Sequence, residues 1–62
     1  MIYHSRAEMP ASFSGYVIYL QVRDAGEWTV VCELHATAAK EVGRWLDRHP
    51  LRRELRILAE KV

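Results

Sequence analysis

The chain has one cysteine, Cys32, among 62 residues, and that scarcity excludes a good deal. A single thiol closes no intrachain disulfide, and it supplies one ligand where a structural zinc site takes four. One lone thiol in so short a chain suits a reducing compartment, so a cytoplasmic protein is expected. No apolar run approaches the roughly 20 residues of a membrane-spanning helix, and the first residues lack the charged-then-apolar layout of a secretory signal. With only three glycines there is no Gly-rich phosphate loop. A paired-carboxylate cleft and a nucleophile elbow are missing as well. A chain this short also has little material to wall off a pocket that excludes water. Catalysis and cofactor binding are therefore not expected.

What remains is ordinary globular composition, half apolar and 27% charged. A single core of this size supplies only about 3–5 kcal/mol. Association with a protein partner, self or heterologous, is the remaining source of stability, and a homodimer is one form of it. The net charge of +1 hides an asymmetry. Residues 1–39 carry two arginines against four carboxylates, and residues 40–62 carry seven basic side chains against four acidic ones. The basic charge sits in the C-terminal third.

Read along the chain, residues 1–14 form an N-terminal arm ending in a loop. From Tyr16 the pattern alternates: Tyr16, Ile18, Leu20 and Val22 on one face of a strand, Val17, Tyr19, Gln21 and Arg23 on the other. Asp24-Ala25-Gly26-Glu27 reads as a hairpin loop, and Trp28–Leu34 as a second strand with Trp28, Val30, Cys32 and Leu34 on one face. A helix follows, with Thr37 as N-cap and Ala38, Ala39, Val42, Trp45 and Leu46 in one apolar stripe. Trp45 is expected to anchor this helix on the hairpin. Pro50 ends it. The last segment is ambiguous. Leu51, Leu55, Leu58 and Val62 fit a second helix, whereas a strand over Leu55–Lys61 would turn Leu55, Ile57 and Ala59 inward.

The stretch from Tyr16 onward, with Ala38-Ala39, Trp45-Leu46, His49-Pro50 and Glu54-Leu55-Arg56-Ile57-Leu58, resembles small β-β-α-β proteins of actinobacteria and their phages. There a hairpin, an alanine-rich helix and a short third strand follow one another. The resemblance implies α+β with a C-terminal strand, with β-β-α-α as the alternative. It transfers no functional residue, because those proteins mostly lack assigned activities.

Four groups of side chains carry expectations. Val17, Tyr19 and Val31 point away from the helix and make an apolar patch for a protein partner, unless the Ile2-Tyr3 arm covers it. Lys40, Arg44, Arg48, Arg52, Arg53 and Arg56 make a basic run able to meet nucleic-acid phosphates, although Glu41, Asp47 and Glu54 interrupt it as in a solvated face. Cys32, on the face of Trp28 and Val30, is expected as a small buried apolar residue. Glu27, Glu33 and His35 can form a surface carboxylate–imidazole cluster, though half-buried strands ordinarily alternate polar residues. The favoured function is a non-enzymatic protein-interaction module, of the kind a small phage regulator or inhibitor represents. A nucleic-acid-binding accessory protein is the alternative.

Overall fold

Alternating apolar residues demand a sheet with one covered face, and the described residues build it from four strands and one helix. The computed structural model describes residues 1–50 and 52–62, with Arg52 described through its backbone. The strands are β1 (Ile2–Tyr3), β2 (Tyr16–Asp24), β3 (Glu27–Leu34) and β4 (Leu55–Lys61), and the helix is α1 (Ala36–Leu46). Short 3-10 turns at Arg6–Glu8 and Arg52–Glu54 complete the order. The sheet runs β1-β4-β2-β3 with every neighbouring pair antiparallel. The protein is α+β with a C-terminal strand, as the sequence predicts. Leu51, which the alternative helix would have used, lies outside the described residues.

The hairpin is tight. Asp24 pairs with Glu27, leaving Ala25 and Gly26 as a two-residue loop with φ of 51° and 82°. Both positive values belong to the turn type whose twist matches that of the flanking strands. After β3 the chain crosses β2 through α1 and returns as β4 on the far side of β2, so β3 and β4 run parallel with β2 between them.

Pairing places Ile18, Leu20 and Val22 opposite Ala59, Ile57 and Leu55, which puts all six on one face. That face carries the core: Ile18, Ile57 and Ala59 pack with Ala39 and Leu46 of α1 and with Tyr3 and Phe13. Leu55, Ile57 and Ala59 turn inward as expected for the strand.

Residues 1–14, expected as an arm and loop, are built into the fold. Tyr3 pairs with Ile57, and the Met1 amine and carbonyl exchange hydrogen bonds with Ala59 at 2.9 and 2.8 Å. Tyr3 and Phe13 meet edge to face at 5.9 Å between ring centres. The arm therefore extends the sheet sideways and does not fold over its outer face.

The helix packs differently from expectation. It begins at Ala36, with His35 in place of Thr37 at the N-cap. Its buried residues are Ala39, Gly43 and Leu46, while Trp45 is 49% exposed. At about 100° per residue, Ala39, Val42, Gly43 and Leu46 define a stripe whose centre lies roughly 110° from Trp45. Gly43 is why the stripe sits there. A Cβ on it would stand 2.7 Å from Met9 Cε and 3.1 Å from Arg6 Cα, so the helix seats directly on the N-terminal segment. Trp45 rests instead on His49, with ring centres 3.9 Å apart. Trp45 is not the anchor; Leu46 is.

Candidate interaction surface

The pairing of β2 with β3 contains one irregularity that reorganises the surface. Leu20 pairs with Cys32 and Gln21 with Val30, so Val31 is an extra residue, a β-bulge. Side-chain direction inverts across it. Cys32 and Leu34 share the helix-facing side with Leu20 and Ile18, whereas Trp28 and Val30 share the outer side with Arg23 and Gln21. The expected single face of Trp28, Val30, Cys32 and Leu34 is thus split. Glu27 and Glu33 fall on opposite faces for the same reason, and the expected cluster with His35 does not assemble.

The helix packs over β2 and β4, while β3 reaches the core through Leu34 at its end. Cys32 lies on the helix-facing side and is nevertheless exposed, contrary to its expected burial. No residue of β3 is buried, and Val30 and Val31 are 48% and 56% exposed. β3 is also an edge strand, so one row of its backbone N–H and C=O groups has no neighbouring strand.

The outer face has no helix over it. Pairing aligns Ile2 with Leu58, Leu58 with Tyr19 and Tyr19 with Glu33, giving an apolar row across four strands that ends in an acid. Val17, paired with Glu60, lies beside that row. Val17 and Tyr19 are half-buried by their neighbours, and Val31 stands at the bulge two residues from Glu33. The structure therefore places Val17 and Tyr19 on the outer face and Val31 at the rim of β3.

One polar cluster is embedded in the outer face. Gln21 is buried to 7% exposure, and its Oε1 accepts from Arg56 Nε at 2.7 Å. The Arg56 guanidinium lies over the Trp28 ring, 4.1 Å from its centre. A partly desolvated cation–π contact of this kind is worth roughly 0.5–2 kcal/mol. The sequence carried no signal for this cluster, because the bulge alone brings Trp28 to the face of Arg56.

The basic run is dispersed. Arg56 stands on the outer sheet face, away from the helix that carries Lys40 and Arg44. Lys40 Nζ donates to the Ala11 carbonyl at 2.8 Å, tying α1 to the N-terminal segment. Arg44 pairs with Glu41 at 3.3 Å in an exposed i, i+3 contact of small energetic weight. Arg48 follows α1 near Trp45 and Asp47, and Arg53 lies with His4, Ser5, Glu8 and Asp47 around a shallow depression. The Arg52 side chain lies outside the described residues. Lys40, Arg44 and Arg48 stay neighbours along α1 and its end, and Arg56 stands apart from them.

That depression has a volume near 510 Å³ and is open to solvent. Its carboxylates are occupied with backbone: Glu8 accepts from the His4 amide at 2.9 Å and Asp47 from the Arg6 amide at 3.3 Å. Both hold the N-terminal segment in place. Among the described residues no three His, Cys, Asp or Glu side chains converge as metal ligands, and no helix is long and apolar enough to cross a membrane. No family model matches the chain, and no curated protein or solved structure is similar to it.

Proposed function

We propose that the protein is a protein-interaction module that works through the open side of its sheet, binding a partner by surface contact as a small regulator or inhibitor does. The carrying observation is the asymmetry of coverage. One sheet face is covered over β2 and β4 by α1 and the N-terminal segment, while the other presents Ile2, Val17, Tyr19, Leu58 and Val30 around the Gln21–Arg56–Trp28 cluster. Contiguous apolar patches with polar groups set among them mark association surfaces, and aromatic and arginine side chains are the usual anchors. Nucleic-acid binding is the lesser reading, since Lys40 and Arg44 are already engaged and Arg56 stands apart from them.

The test is affinity capture from extracts of the native host, with and without nuclease, using the natural chain and Tyr19→Arg as baits. Arginine at position 19 faces Glu33 across the strand pair, a favourable opposite-charge pairing that preserves the fold. The reading expects proteins that survive nuclease treatment and are lost with Tyr19→Arg. Capture that nuclease abolishes, or that Tyr19→Arg leaves unchanged, contradicts it.

A further inference from the structure

We infer that β3 pairs antiparallel with β3 of a second copy across a twofold axis between Val30 and Val31, joining two sheets into one of eight strands. The inference rests on the interaction-module reading and names the partner of its exposed edge.

The bulge carries the argument. A strand that pairs with the free edge of β3 residue for residue must invert its side chains at Val31 as β3 does; a straight strand fits only by setting one residue against two at the bulge, as β2 does on the other side. A second copy of β3 carries the same inversion and so pairs with it residue for residue. With the axis between Val30 and Val31, Trp28 opposes the partner's Glu33, both on the outer face. Thr29 opposes the partner's Cys32, both on the helix-facing side, and Glu27 opposes the partner's Leu34. Two residues of one bulge meet two of the other. Moving the axis by half a residue in either direction sets outward side chains against inward ones. This register alone matches faces along all eight residues of β3.

Charge and space agree with it. The register keeps Glu27 and Glu33 of the two chains apart. The partner's Glu33 arrives beside Trp28, whose ring carries the Arg56 guanidinium and whose neighbour across β2 is Arg23. Each acid thus enters a basic neighbourhood, twice by symmetry. The helix sits over β2 and β4, and Cys32 on the helix-facing side of β3 is exposed, so the middle of that strand is open to approach from this side. Twofold homodimers are the commonest closed assembly, and pairing the two bulged edges removes the longest open edge of the sheet.

Cys32 makes the register measurable. Directly opposed residues of an antiparallel pair lie about 4.5–5.5 Å apart at Cα, within the span of a disulfide. Thr29→Cys therefore places a new thiol opposite the partner's Cys32. The two native Cys32 residues are offset by three positions, about 10 Å along the strand, which is too far to bridge. The experiment combines sedimentation of the natural chain across micromolar concentrations with mild oxidation of the natural chain and of Thr29→Cys. The dimer mass is expected, with covalent dimer forming in Thr29→Cys and not in the natural chain. Val31→Lys, at an already exposed position, is expected to weaken the dimer by about tenfold or more. A monomer mass throughout overturns the inference, as does a dimer that Thr29→Cys does not lock. A dimer weakened by Tyr19→Arg and untouched by Val31→Lys replaces edge pairing with face-to-face packing. A monomeric chain whose captured partners still depend on Tyr19 loses this inference and keeps the interaction-module reading.

Discussion

β3 and β4 flank the same strand, run in the same direction and carry comparable apolar side chains, yet their fates are opposite. β4 buries Ile57 and Ala59 to 0% and 1% exposure, and no residue of β3 is buried. The direction of the side chains makes the difference first: the bulge turns Trp28 and Val30 to the outer face and leaves Glu27, Thr29, Cys32 and Leu34 towards α1. The landing place of α1 adds to it. Gly43 draws the helix onto Arg6 and Met9, and Leu46 then reaches the core shared with Ile57 and Ala59. Coverage shifts towards the N-terminal segment, and β3 leaves Val30 and Val31 in solvent. In a chain with so small a core, apolar surface left outside is surface available to a partner.

The largest expected effect breaks the covered side. Leu46→Ala empties a fully buried position and should cost about 2–5 kcal/mol, enough to consume most of the stability of so small a domain. Val30→Ala, a smaller apolar deletion at an exposed position of β3, should stay within about 0.5 kcal/mol in the monomer. Urea denaturation of the two variants at low protein concentration measures the contrast. Equal losses would show that β3 contributes to the core as β4 does.

Gly43→Ala tests what positions the helix. Alanine gains about 1 kcal/mol in helix propensity, but overpacking against Arg6 and Met9 costs about 1–3 kcal/mol. The Arg6 contact is backbone, which yields less easily than the end of the Met9 side chain. A net loss of roughly 1 kcal/mol is expected from the thermal unfolding midpoint. A stabilised variant would mean that the close approach is not what fixes α1.

Trp45→Ala is expected to cost under about 1 kcal/mol, since it removes a half-exposed ring and one contact with His49 and opens no cavity. A loss approaching that of Leu46→Ala would restore Trp45 as the anchor. The smallest effect lies at the hairpin. Ala25 holds a φ of 51° that asparagine tolerates better, so Ala25→Asn should stabilise by up to about 1 kcal/mol in the same unfolding assay.

The hairpin and the helix were legible in the sequence because strand alternation, helical spacing and turn chemistry are local signals, whereas periodicity alone favoured a helix over the last segment and the resemblance tipped it to the strand that turns Leu55, Ile57 and Ala59 inward. β1 was not, because two residues are too few to show any period, and its place beside β4 depends on contacts nearly sixty positions away. The bulge was not legible either. A run of Val30-Val31-Cys32 reads as continuous strand whether or not one residue is extra. Two expectations fell with it, the shared face of Trp28 with Leu34 and the cluster of Glu27 and Glu33 with His35; Cys32 is on the expected face and is exposed because nothing covers it there. Trp45 misled for another reason, since residue size drew attention from the helical angle that puts it beside the stripe. Of the outer face, Val17 and Tyr19 were found by alternation. The Gln21–Arg56–Trp28 cluster needed the bulge to bring its members together.

Backbone hydrogen exchange followed residue by residue at two protein concentrations tests the account most directly, because it compares β3 with β4 inside one molecule. The amides of Leu55–Lys61 that bond to β2 should be slow at both concentrations. Those of Glu27–Leu34 that point away from β2 should exchange rapidly in dilute solution and slow markedly as concentration rises. Outward β3 amides that are equally slow at both concentrations, or equally fast at both, would contradict an open edge that closes on a second copy.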